Sequence, residues 1–240
     1  MEGYPYPSPM LRRSAAVLAL AFPLTALAAF RDVPPGAWFA AHVETAAEMR
    51  FVEGYRDAEG NLTGEFGPGN PVTVAEAVKM TMVAAGLGPL DREPGGHWSD
   101  PYFALAEGEG IELPEGLATR RDAPATRAEV SAIVAAAYQG AYLYGDVLDC
   151  NYSDVPLDHP GYYGIRVVTG LDIMVGDGRE TANEFRWDWE SGEFPPCVVT
   201  TFRPSASINR AEMAKVAVTA RGNMGTRAEA IARFRAETGR

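Results

Sequence analysis

Thr126-Arg127-Ala128-Glu129 opens an apolar helical run, and the chain writes nearly the same opening twice more, as Thr73-Val74-Ala75-Glu76 and Asn209-Arg210-Ala211-Glu212. Thr or Asn in front of a helix accepts a hydrogen bond from an orphan backbone N–H. Glu three residues on reaches back to the N–H of the capping residue. Each such capping box stabilises its helix by about 1 kcal/mol. Past each Glu the same positions recur: Ala77, Met80, Thr81 and Ala84, then Val130, Ile133, Val134 and Ala137, then Met213, Val216, Ala217 and Ala220. That spacing puts one mostly apolar stripe on each helix. Three such stripes can pack on one another.

The text upstream repeats as well. Phe30-Arg31-Asp32-Val33-Pro34 precedes the first box and Tyr152-Ser153-Asp154-Val155-Pro156 the third. Phe51 follows Asp32 by the same 19 positions as Ile173 follows Asp154, and Gly54 and Gly176 match in the same way. Phe66-Gly67-Pro68 stands as far before Thr73 as Phe202-Arg203-Pro204 stands before Asn209. The middle copy is worn. It opens at Trp98-Ser99-Asp100, read in the register of Phe30-Arg31-Asp32, and carries Thr119 and Arg121 in the Phe-x-Pro places. The third copy is long, with an insertion over 179–201. Each unit reads as a cap, a first helix ending at a glycine of positive φ, a loop, and a second helix. One unit cannot bury its own apolar face, whereas three together can.

Arg12-Arg13, an apolar run and the ending Ala26-Leu27-Ala28 make residues 1–29 a secretory leader, with a membrane anchor as the alternative. Met10 is a second candidate start. The net charge of −11 disfavours nucleic acid and anionic lipid as partners. Cys150 and Cys197 read as a disulfide in an exported protein, or else as two buried thiols. His42, His97 and His159 lie far apart and no metal-ligand spacing appears, so neither metal nor cofactor is expected. Asp57-Ala58-Glu59-Gly60-Asn61 lacks the alternating ligands of a calcium loop and reads as a turn.

These motifs resemble the S-layer homology family, whose units run Phe-x-Asp-Val, Trp, a helix to a glycine turn, Phe-x-Pro, then Thr-Arg-Ala-Glu. The resemblance implies a mainly α fold, a pseudo-threefold array of three helix-loop-helix repeats around a central three-helix bundle. The repeats would span 30–88, 97–140 and 150–221, followed by a helical tail over 222–240. It implies a non-catalytic, exported cell-surface module that binds peptidoglycan-linked wall polysaccharide, anionic and often bearing pyruvate ketals. Surface-layer or envelope proteins are further partners that such a location allows. No membrane contact is expected once the leader is removed.

The family's ligand grooves use the motif arginine, the early aromatic residue and the backbone of the glycine turn. Carried over, these are Arg127 and Arg210, Trp38 with Tyr162 or Tyr163, and Gly54 and Gly176. The chemistry suits them. Arg beside the free N–H groups of a helix start makes an anion site, and an aromatic ring stacks on a sugar face. On this reading, replacing both arginines by alanine abolishes binding and spares the fold, and Val74 weakens the groove of the first copy. The alternative is a protein-interaction scaffold built on a decayed form of the same fold. A wall hydrolase would need a selected pair of opposed carboxylates, and no motif selects one.

Overall fold

The computed structural model describes residues 30–91, 95–138, 152–177 and 201–239. The leader, Cys150, Cys197 and nearly all of the 179–201 insertion lie outside the described residues. The fold is mainly α. In order run α1 (Ala40–Glu48), α2 (Val74–Ala84), α3 (Asp100–Gly108), a 3-10 turn (Leu117–Thr119), α4 (Arg127–Ala137), α5 (Tyr162–Gly170), α6 (Arg210–Met224) and α7 (Arg227–Thr238). Sheet pairing among the described residues is limited to single bridges.

All three capping boxes form, at Thr73/Glu76, Thr126/Glu129 and Asn209/Glu212. A fourth, Thr226/Glu229, starts α7. The apolar stripes point inward. α2 is buried over most of its length, and both α4 and α6 pack on it. The first helices follow a cyclic order: α3 packs on α2, α5 on α4 and α1 on α6. Each first helix therefore lies against the second helix of another segment.

The loops before the second helices are tied into a closed ring. Val72 N–H donates to Ile208 O (2.9 Å), Ile208 N–H to Ala125 O (3.2 Å), and Ala125 N–H to Val72 O (2.8 Å). All three residues are buried. Around this ring each helix start borrows acceptors from the next segment. Val74 and Ala75 donate to Ala123 and Arg121, Arg127 and Ala128 to Ala206 and Pro204, Arg210 and Ala211 to Asn70 and Pro68. Orphan N–H groups at a helix start need partners when buried, and here they take them across segments.

The aspartates brace turns. Asp32 accepts from Phe66 N–H and Gly67 N–H, both at 2.7 Å, and Asp154 accepts from Phe202 N–H (2.8 Å) and Arg203 N–H (2.7 Å). The middle segment differs from its sequence reading. Asp100 is the first residue of α3, so Trp98 lies two residues before its helix, as Trp38 does before α1. The register of Trp98-Ser99-Asp100 is thus that of Trp38, not of Phe30. Asp100 pairs with Arg121, and the backbone N–H it accepts from is that of His97, just ahead of its own helix.

The glycine expectation also changes. Gly54 and Gly176 do not carry positive φ. The left-handed residues are Arg50 (φ 59°), Gly110 (φ 65°) and Asp172 (φ 52°), each two positions past its helix. They close the helix end: Phe51, Ile111 and Ile173 each donate back to a carbonyl of the last turn, and each buries its side chain.

At the far end, Arg221 Nε donates to Ala84 O (2.6 Å) and Arg227 Nη1 to Ala137 O (2.7 Å), so the last carbonyls of α2 and α4 find partners. α6 runs through the 222 boundary to Met224 before α7 begins. Among the described residues no helix is long and apolar enough to cross a membrane.

The bracing aspartates yield a test. Asp32→Ala strands the N–H of Phe66, a residue with no exposed surface, and that of Gly67. Unfolding free energy is expected to fall by about 2 kcal/mol in urea titration. Asp122→Ala, at a mostly exposed side chain, is expected to cost under about 0.5 kcal/mol.

Candidate functional site

Arg210 leads into the site. It is the first residue of α6, and its side chain crosses from the third segment to the first. Nε donates to Phe66 O (2.7 Å), Nη2 to Glu53 O (3.2 Å), and Nη1 pairs with Glu76. The guanidinium lies over the rings of Tyr55 (4.7 Å) and Phe66 (4.9 Å). Only 5% of the residue is exposed. Arg127 repeats this one segment earlier. Its Nε donates to Phe202 O (2.8 Å), its Nη2 to Val175 O (2.9 Å), and it lies 4.7 Å above the Phe202 ring. It is 8% exposed, and burial pulls its pKa below the ordinary arginine value. Each arginine clamps the turn and the Phe-x-Pro loop of another segment.

The turns they clamp need glycine for room. A Cβ on Gly54 would lie 2.9 Å from both Glu65 O and the Phe30 ring. A Cβ on Gly176 would run into Thr201 O and the Tyr152 ring, and Gly176 N–H donates to Tyr152 Oη (3.0 Å). The buried rings Phe30 against Phe66 and Tyr152 against Phe202 explain that lack of room.

Beside the first clamp a cavity of about 320 Å³ opens between segments. It is lined by Gly54, Tyr55 and Arg56 of the first turn, by Glu76, Lys79 and Met80 of α2, by Trp98 of the second segment and by Arg210 of the third. Of the sequence-derived candidates, the structure brings Gly54 and Arg210 together here. Arg127 and Gly176 lie together at the corresponding clamp of the third segment. Trp38 is 60% exposed and stacks edge-on with Phe39 at 5.4 Å. Tyr162 packs against the core and accepts from Arg166 Nη1 (2.6 Å), whereas Tyr163 is 58% exposed. Both tyrosines lie within α5, so neither stands in the register of Trp38.

Val74 does not face Gly54. Its helix start rests on Ala123 of the second segment. The arginine next to the first turn comes from the third segment, and this swap reverses the expectation that Val74 weakens the first groove. Lys79, Tyr55 and Trp98 escaped the sequence reading as site residues. One signal was there: Lys79 and Lys215 both stand six places past their capping residues, and Ala132 stands there in the middle segment.

Elsewhere, no group of three or more His, Cys, Asp or Glu among the described residues could hold a metal ion. Asp57 accepts from Asn61 N–H (2.8 Å), which holds its pKa below the usual carboxylate range within a closed turn. His97 lies between Ser99 Oγ (2.7 Å) and Asp122 (3.2 Å), but Ser99 has no exposed surface and cannot meet a substrate.

The clamp changes what a mutation should do. Arg210→Ala leaves two carbonyls and Glu76 without their cation, so stability is expected to fall by about 3 kcal/mol. Trp38→Ala, at an exposed ring, is expected to stay within about 0.5 kcal/mol. Chemical denaturation of the two variants separates a clamp from a surface contact; equal, small losses would refute the clamp.

No curated protein matches the chain. Residues 29–78, which contain Trp38, Gly54, Tyr55, Phe66 and the first capping box, match the family model of the S-layer homology domain, a module that generally anchors proteins to the cell wall.

Proposed function

We propose that the chain is a non-catalytic, exported cell-surface module that holds wall polysaccharide linked to peptidoglycan. The observation that carries this reading is the cavity at Gly54, Trp98 and Arg210, formed where the matched domain meets the other two segments. Its make-up suits a sugar. Trp98 offers an aromatic face, Glu53, Arg56 and Lys79 offer polar edges, and the turn at Gly54 lines the same space.

On this reading the three segments are three S-layer homology repeats in pseudo-threefold order, 30–88, 97–140 and 150–221. The ring through Val72, Ala125 and Ile208 and the cyclic packing of first helices support it. Arg127 and Arg210 serve binding by holding the Gly176 and Gly54 turns in shape, and Arg210 also lines the cavity. Trp38, Tyr162 and Tyr163 are further aromatic contacts for the glycan. The glycan is anionic, of the pyruvylated kind bound by the family. Cys150 and Cys197 would staple the insertion after export, worth about 4 kcal/mol on the loop-closure model.

The test is sedimentation of the purified chain, lacking residues 1–29, with sacculi before and after the wall glycan is stripped. Binding to intact sacculi and its loss after stripping is the expected result. No binding to either refutes the proposal. Capture of an envelope protein with no glycan binding would point instead to an interaction scaffold.

A further inference from the structure

The middle segment holds a second cavity, a cleft of about 750 Å³ lined by α3 and by the stretch that leads through the 3-10 turn to Arg121. This is the segment without Phe-x-Pro, so it lacks the buried ring that Phe66 and Phe202 supply in the other two. The lining is apolar at Phe103, Ile111, Leu113 and Leu117, and Phe103 and Leu113 are only half-buried. Apolar surface left open to water in a cleft is costly, and contact with another apolar group relieves that cost.

The charges that line the cleft do not cancel. Arg121 is committed. It pairs with Asp100, donates from Nε to Ala118 O (2.9 Å) and lies 4.6 Å over the Phe103 ring. Glu107, Glu112 and Glu115 line the same cleft, are exposed, and have no ion-pair partner among the described residues. Glu107 also stands in the last turn of α3, which carries no basic residue, and there the negative end of the helix dipole disfavours an acid. A cation brought to this place relieves both effects.

We propose that the cleft docks a basic, apolar segment of a partner polypeptide. Lys or Arg side chains of the segment meet Glu107, Glu112 and Glu115, while the apolar side chains between them pack on Phe103 and Leu113. Apolar contact and charge complementarity select together, so an acidic segment is repelled however apolar it is. A second copy of this chain, with its net charge of −11, is disfavoured for the same reason. The inference stands apart from the wall-glycan reading, because no residue lines both this cleft and the cavity at Gly54. One molecule can therefore hold a partner and the wall at once.

The experiment titrates the full chain against fluorescent peptides of equal length and reads anisotropy. In one peptide Arg and Leu alternate, in the second Glu and Leu, in the third Arg and Ser. Wild type is expected to bind the Arg/Leu peptide and to bind the other two at least about tenfold more weakly. E107Q/E112Q/E115Q should bind the Arg/Leu peptide about tenfold more weakly than wild type, the scale of three exposed ion pairs. E44Q/E48Q/E59Q removes the same charge from the first segment and should bind as wild type does. Matched circular dichroism and melting midpoints establish that both variants fold. No binding of the Arg/Leu peptide overturns the proposal, and so does equal binding of the Arg/Ser peptide. Equal weakening in the two triple variants overturns it as well, since the peptide would then respond to the overall charge and not to the cleft. Sedimentation of E107Q/E112Q/E115Q with sacculi should match wild type. If it falls in step with peptide binding, the cleft belongs to the wall site and the inference is overturned; if neither protein sediments while the peptide results hold, the proposed function falls and this inference stands.

Discussion

The closed ring of three backbone hydrogen bonds, Val72 to Ile208 to Ala125 and back to Val72, is the constraint on which the rest of the structure depends. It joins three loops far apart in the chain at one buried point. From there each second helix departs with its capping box already formed and its remaining N–H groups supplied by the next segment. A helix start held in this way cannot rotate, so the arginine at its first position must point into the neighbouring segment. The clamp on the glycine turn follows, and the turn in turn forms the wall of the cavity. Local capping, worth about 1 kcal/mol each, becomes global order because the acceptors are shared.

Much of the fold was legible in the sequence because its signals are local. A capping box depends on four consecutive residues, and an apolar stripe on about twelve; both need only helix geometry. The matched spacings from Asp32 to Gly54 and from Asp154 to Gly176 were reliable for the same reason, since equal spacing in the chain means equal path in space. What was not legible was which segment each side chain serves. The exchange of helix starts between segments is a property of the assembled ring. No spacing in the chain distinguishes an Arg210 that contacts its own turn from one that contacts Gly54. The reading of Val74 therefore assigned the missing arginine to the wrong groove.

Two smaller departures have physical causes of the same kind. Glycine at a helix end is expected to supply positive φ, yet Arg50 and Asp172 take that conformation in the first and third segments. The burial of Phe51 and Ile173 immediately after them offsets a cost of about 1 kcal/mol for a left-handed L-residue. Gly54 and Gly176 are instead required by neighbours, the Phe30 and Tyr152 rings, that come from elsewhere in the segment. A glycine needed for φ and one needed for space look identical in a sequence.

The wear in the middle segment and the valine at position 74 are two sides of one interface. Helix starts pass their first residue to the next segment in cyclic order, so Val74 is the residue that meets the second segment. That segment is also the one without Phe-x-Pro, with Thr119 and Arg121 in its place. An arginine buried there would lack the ring that Phe202 gives Arg127 and Phe66 gives Arg210. A buried guanidinium without such partners costs several kcal/mol, whereas a valine asks for nothing but contact. The absence of the phenylalanine and the absence of the arginine therefore fit one another by burial. The same coupling leaves the Arg210 clamp intact, because both of its partners, Phe66 and the Gly54 turn, lie in the first segment. The cavity lies at one of the two interfaces where an arginine clamp is present.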